Sequence, residues 1–236
     1  MNIGILDTDQ LSLDVINQFG SYSDMFRRLL QSLNTLNTFQ TYQVTQGHYP
    51  NTIDECDAYL ITGSKANAYD NTPWIVALRN YITQLDAHHK KLVGICFGHQ
   101  IIAQALGGLV QNNENGWGVG SMFSEVLNTK PWMNPDPVKN GFSLLVSHQD
   151  QVVQLPKQAK RIATNAFCIN SSVQIDQHII TFQGHPEFTP EYLRHLMQGR
   201  QEIIGQQRYH QALATMDLAT DNNVVARWIL NFMTKP

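Results

Sequence analysis

The stretch Lys90 to Gly108, K-K-L-V-G-I-C-F-G-H-Q-I-I-A-Q-A-L-G-G, constrains this chain more than any other. Leu92 to Ile95 is a short apolar run preceded by lysines, the pattern of a buried strand. Ile101, Ile102, Ala105 and Leu106 then recur at helical spacing, and Gly107-Gly108 supplies a helix stop. Between the two lies Gly94-Ile95-Cys96-Phe97-Gly98. Small residues two before and two after a central side chain permit a sharp strand-to-helix turn with that side chain at its tip. A strand that turns directly into a helix is a building unit of α/β folds.

The turn also carries chemistry. Cys96 falls at the amino end of the following helix, where free backbone N–H groups favour negative charge on a sulfur. The N–H of Phe97 would point where an oxyanion forms. Taken alone, G-x-C-x-G is equally compatible with a buried cysteine at a glycine-rich turn.

The remaining chain alternates strands and helices. Asn2 to Leu6 reads as a first strand ending at Asp7, and Leu11 to Leu36 as helix with a break at Gly20. Thr41 to Thr45 and Ala58 to Thr62 read as the next strands, the latter running into Gly63-Ser64-Lys65. Thr72 caps, and Pro73 opens, a helix to about His88. After Gly108 come shorter strand-like runs: Val119 to Leu127, Ser143 to His148, Arg161 to Thr164, Val173 to Ile175 and Ile179 to Gln183. Asn128 to Asn140 holds three of the nine prolines and reads as a surface loop. Thr189-Pro190-Glu191 starts another helix; Tyr192 to Ile204 and Val224 to Phe232 read as helices packed on the outside. This order predicts an α/β fold: an open, mostly parallel sheet, helices on both faces, and a small antiparallel edge. No repeat or linker divides the chain, so residues 1–236 are expected to form one domain, with 205–236 a C-terminal helical extension.

Composition narrows the functional classes. A chain of 236 residues can bury one large core. Sixteen Lys and Arg against nineteen Asp and Glu give a net charge of -3, which calls for neither nucleic acid nor an anionic membrane. No apolar run approaches the roughly 18 residues of a membrane span. The amino terminus enters a strand directly, without a signal-peptide pattern. Cys56, Cys96 and Cys168 are odd in number and widely spaced, which suits a reducing cytoplasm better than a disulfide framework. The nine histidines lack metal-ligand spacing, so neither metal nor cofactor is expected.

A second motif lies far from the first. Ile179 to Phe188, I-I-T-F-Q-G-H-P-E-F, reads as a strand ending in H-P-E. Residues two apart in extended chain point the same way, so His185 and Glu187 can face one site. A cysteine nucleophile needs an imidazole to move its proton, and the imidazole needs an acceptor to fix its tautomer. Alone, H-x-E at a strand end is more often a surface pair. In open α/β sheets, however, ligands bind at strand ends, so both motifs are expected at one rim.

Together, G-I-C-F-G-H-Q and G-H-P-E-F resemble the two signature motifs of the class I glutamine amidotransferases, a family with a Cys-His-Glu triad on a flavodoxin-like sheet. The resemblance covers about residues 1–192 and is greatest to the glutaminase domain of GMP synthase and to stand-alone relatives, including γ-glutamyl peptidases. It implies Cys96 as nucleophile, His185 as acid and base, and Glu187 as its orienting carboxylate. It implies an oxyanion hole from the N–H of Phe97 and an N–H at Gly63 or Ser64. Gln100 matches the family glutamine beside the substrate, and Gly116-Trp117-Gly118 the segment lining the substrate's α-carboxylate and amine. Ser147-His148-Gln149-Asp150 matches an S-H-x-D stretch placed near the pocket. The implied activity is release of ammonia from glutamine through a γ-glutamyl thioester, with a separate synthetase subunit as a partner; a homo-oligomer is equally open. A stand-alone γ-glutamyl peptidase and a non-enzymatic regulatory subunit are the alternatives. Two departures stand out: the loop Gly63-Ser64-Lys65-Ala66 carries serine where the family usually has glycines, as in the γ-glutamyl peptidase branch, and no synthetase segment follows.

Overall fold

Ala58, Tyr59, Leu60 and Ile61 are consecutive and all fully buried, which requires a strand covered on both faces. A computed structural model describes residues 1–134 and 140–234 and shows how that cover is arranged. The parallel strands are β1 (Asn2–Asp7), β2 (Thr38–Gln43), β3 (Ala58–Ile61), β4 (Lys91–Ile95) and β11 (Ile179–Phe182). The antiparallel strands are β6 (Gly118–Val126), β7 (Gly141–His148), β9 (Ala159–Thr164) and β10 (Ser172–Ile175). They form one sheet in the order β2-β1-β3-β4-β11-β10-β9-β6-β7, and β5 (Leu109–Asn112) pairs with β8 (Asp150–Gln154) in a separate ribbon. The antiparallel portion expected as a small edge is therefore four strands wide.

Alternate strand residues feed opposite cores. Ile3, Ile5, Leu60 and Val93 face Phe26 and Leu30 of α2 (Tyr22–Leu33) and Trp228 and Ile229 of α8 (Asn222–Thr234). Tyr59, Ile61 and Leu92 face α3 (Pro73–Ala87) and α4 (Phe97–Ala105). A third cluster joins Val119 and Leu145 to α5 (Pro190–Gln198), α6 (Gln201–Ile204) and α7 (Gln206–Leu213).

The expected helix break at Gly20 is present: it separates α1 (Leu13–Phe19) from α2, and Gly20 adopts a positive φ of 86° that favours glycine. Other expectations are corrected. The second strand lies earlier than expected, and Val44–Gln46 is a 3-10 turn. Thr72 precedes α3 without a side-chain cap bond, whereas the Thr189 hydroxyl accepts from the Tyr192 N–H at 3.2 Å. The helix read as 192–204 breaks at Gly199-Arg200. Within the segment read as a surface loop, Trp132 and Met133 are buried against α8, while 135–139 lie outside the described residues. Helix α8 is not peripheral: Trp228 is fully buried and meets Phe142 edge-on at 5.6 Å. Among the described residues no helix is long and apolar enough to cross a membrane.

Strand order 2-1-3 places a topological switch point between β1 and β3. Ligands of open α/β sheets bind beyond the carboxyl ends of strands at such points. Thr8, Gly63, Cys96 and His185 follow the ends of β1, β3, β4 and β11, so all four sit at one rim.

Candidate active site

Cys96 links β4 to α4 with φ 53° and ψ -101°, a strained conformation for a residue with a side chain. Its neighbours hold it there. The Cys96 N–H donates to Phe182 O at 2.8 Å, and the Gly98 N–H to Thr62 O at 3.2 Å. A Cβ on Gly94 would lie 2.5 Å from Gly98 O, and one on Gly98 would lie 2.4 Å from Ile61 O. The two flanking glycines are thus needed because backbone meets backbone on both sides of the turn.

The second motif meets the first from β11. The His185 N–H donates to Leu145 O at 2.9 Å, which anchors the residue against β7. Its Nδ1 is 2.7 Å from Glu187 Oε1, and the Phe188 ring stacks on the imidazole with centroids 3.7 Å apart. Both members of the pair are buried. Burial by itself disfavours the imidazolium, but the Glu187 carboxylate and the Cys96 sulfur outweigh it and raise the His185 pKa to about 10. Gly63 packs between these groups: a Cβ there would lie 2.8 Å from His185 Cε1 and 3.8 Å from Cys96 Cβ. The three side chains expected from sequence therefore converge. His99, the other histidine of the nucleophile motif, turns to Thr181 Oγ1 at 2.7 Å, and burial lowers its pKa to about 3.

Among the described residues neither the Phe97 N–H nor the Ser64 N–H has a hydrogen-bond partner. The Gly63 carbonyl accepts from Thr8 Oγ1 at 2.8 Å and from Thr62 Oγ1 at 3.2 Å. The two ends of a trans peptide point opposite ways, so this anchoring turns the Ser64 N–H away from Thr8, and Ser64 lines the same pocket as Cys96. Thr8 was not singled out by sequence; its position one residue past β1, on the rim, was the available signal.

That pocket has a volume of about 260 Å³. Of the sequence-predicted residues, Gln100, Trp117, Ser147 and His148 line it, and Gly116 does not. Gln100 commits its Nε2 to Asp150 O at 2.8 Å and Gln183 Oε1 at 3.2 Å. His148 donates from Nδ1 to Asp150 O at 3.1 Å, and burial lowers its pKa to about 4, so the ring is neutral at pH 7. Gly116 instead makes a turn with φ 78° beside Arg208. Arg200 joins the lining although the sequence reading, which ran one helix through 192–204, did not mark it. Among the described residues no group of three or more His, Cys, Asp or Glu side chains could hold a metal ion.

Sequence and fold both match known proteins. The glutamine amidotransferase class-I family profile matches residues 14–200, and the chain belongs to that family. It is 30% identical to a glutamine amidotransferase-like protein of Schizosaccharomyces pombe, over 98% of each chain. It is 29% identical to gamma-glutamyl peptidase 3 of Arabidopsis thaliana, over 77% of this chain and 76% of that one. The crystal structure of a glutamine amidotransferase from Thermotoga maritima shares the fold, with TM-score 0.76 and 17% identity over 98% of this chain and 95% of that one.

Proposed function

We propose that this protein is a cysteine amidohydrolase that cleaves the γ-amide of glutamine, or of a related γ-glutamyl compound, through a γ-glutamyl thioester. The observation that carries it is the meeting of a strained Cys96 with a buried His185 whose proton is held by Glu187 and Cys96. In this reading Cys96 Sγ attacks the γ-carbonyl carbon. The oxyanion is met by the N–H groups of Phe97 and Ser64, with Gly63 supplying the peptide that presents the latter. His185 gives its proton to the departing nitrogen, the C–N bond breaks, and ammonia or an amine leaves. Water then attacks the thioester, His185 takes its proton, the C–S bond breaks, glutamate is released and the Cys96 thiolate is regenerated. Gln100, Trp117, Ser147 and His148 form the substrate pocket.

Glutamine comes first because the nucleophile motif matches the glutamine-hydrolysing family throughout. Ammonia would then pass to a separate synthetase subunit docked over the rim. The second reading, a γ-glutamyl peptidase acting alone, is favoured by the serine at position 64 and by the relatives of that name. One domain spanning the chain, in a reducing cytoplasm, suits either; its three cysteines are free and buried. A non-enzymatic subunit would not need the triad geometry. The test is kcat/KM of the purified protein for glutamine and for γ-glutamyl dipeptides. Ammonia release that vanishes in Cys96→Ala supports the first reading. Efficient dipeptide cleavage with poor glutamine turnover selects the second, and no turnover of either, with or without cell extract, removes both.

A further inference from the structure

The pocket beside Cys96 contains a cation without a counterion. Arg200, in the break between α5 and α6, is half-buried in the pocket wall. Its Nη1 donates to Ser147 Oγ at 3.2 Å, and its Cζ lies 5.4 Å from the centre of the Trp117 ring. Those two contacts fix the plane of the guanidinium and use one of its five N–H donors. Among the described residues no carboxylate lies within ion-pair distance of it. The other cation of the pocket, Lys65, is paired with Asp9 at 3.4 Å. The acid of the pocket, Asp150, accepts instead from Tyr69 and Asn112.

We infer that Arg200 is the specificity residue of this pocket and binds a free carboxylate of a γ-glutamyl substrate. This rests on the reading of Cys96 as nucleophile given above. A planar, pre-oriented guanidinium matches a carboxylate through paired N–H donors, which a lysine cannot copy. Burial of Ser147 beneath it, and the Trp117 ring against it, limit the competition from water. The substrate class is thus a γ-glutamyl compound with an ionised carboxylate. Two sources share that chemistry: the α-carboxylate of the glutamyl unit and the carboxylate of an amino acid on the far side of the scissile bond.

Three substrates separate these sources: γ-glutamylglycine, its glycine amide, and its glutamyl α-carboxamide. Each is assayed with the full-length protein and with Arg200→Gln. The inference expects the variant to lose about 30- to 100-fold in kcat/KM on γ-glutamylglycine, with Arg200→Lys intermediate. It expects a change of less than about threefold on the one analogue that lacks the carboxylate Arg200 binds. Insensitivity of the glycine amide assigns the leaving-group carboxylate, and insensitivity of the α-carboxamide assigns the glutamyl one. Equal losses on all three, or no loss on γ-glutamylglycine, would overturn the inference. Turnover of γ-glutamyl-p-nitroanilide by the wild type, and its loss in Cys96→Ala, reports separately on the underlying reading. If that substrate too is untouched, the hydrolase reading fails and the role of Arg200 falls with it.

Discussion

The Thr8 hydroxyl donates to the Gly63 carbonyl oxygen across 2.8 Å, and this bond sets which way the loop after β3 faces. The Thr8 N–H meanwhile donates to Thr62 Oγ1 at 3.0 Å, so the ends of β1 and β3 are tied through two threonines. Thr8 does not line the pocket beside Cys96. Its effect on catalysis would run through one peptide plane, whose other face is the Ser64 N–H.

Thr8→Val is expected to keep the fold, because the buried side chain conserves its shape, and to lower kcat about 10- to 100-fold. Loss of an oxyanion donor elsewhere costs about 10²–10³, and Thr62 at 3.2 Å retains part of the restraint here. Thr8→Ser should stay near wild type. A peptide aldehyde or similar oxyanion-forming inhibitor should bind Thr8→Val more weakly while KM hardly moves. Equal inhibitor affinity for the two proteins would contradict the role given to Thr8.

Cys96 is expected to be the one thiol that reacts with a glutamine-like electrophile. Cys168 is buried and its pKa is pushed up to about 12 by desolvation, and burial likewise raises Cys56. Neither has an imidazole held against it as Cys96 does. Peptide mapping after labelling should place the adduct on Cys96, and Cys96→Ala should take up little label. Comparable labelling of that variant would remove Cys96 as the nucleophile.

Glu187→Gln is expected to leave the fold intact and cut kcat/KM by about 10²–10⁴. The substituted amide presents either an N–H, which favours the wrong imidazole tautomer, or a neutral acceptor. Loss of the carboxylate also removes a principal cause of the raised His185 pKa, so that pKa should fall from about 10. The pH profile of thiol alkylation checks this. An unchanged profile with unchanged kcat/KM would exclude Glu187 from the catalytic group.

Sequence pointed to the convergence of Cys96, His185 and Glu187 because each sits in a motif whose cause is local. The glycines at 94 and 98 are required by backbone contacts within one turn, and His185 and Glu187 share a side through extended-chain periodicity. Thr8 and Arg200 were not legible, since their roles arise from contacts 55 and 53 residues away in sequence. The same holds for α8, whose apolar residues read as one helical face but whose Trp228 fills the space between α2, β7 and the turn at Trp132. Gly116, expected in the pocket wall, instead makes the turn before Trp117, which does line the pocket.

Two buried histidines away from the triad's proton should govern acid stability. His99 and His148 have pKa values lowered from 6.5 to about 3 and about 4, chiefly by desolvation. Below pH 6.5 the unfolded chain takes up protons that the native state refuses, so stability falls as pH drops toward 4. Each such histidine contributes a slope of about 1.4 kcal/mol per pH unit once well below 6.5. His185 acts in the other direction: its contribution is complete below pH 6.5 and is lost as pH rises through about 10. Urea unfolding of wild type and His99→Gln at pH 6.5, 5.5 and 4.5 tests the acid limb. The variant is expected to lose less stability per unit, by about one histidine's slope between the two lower points. Parallel curves for the two proteins would mean that His99 takes up its proton as readily folded as unfolded.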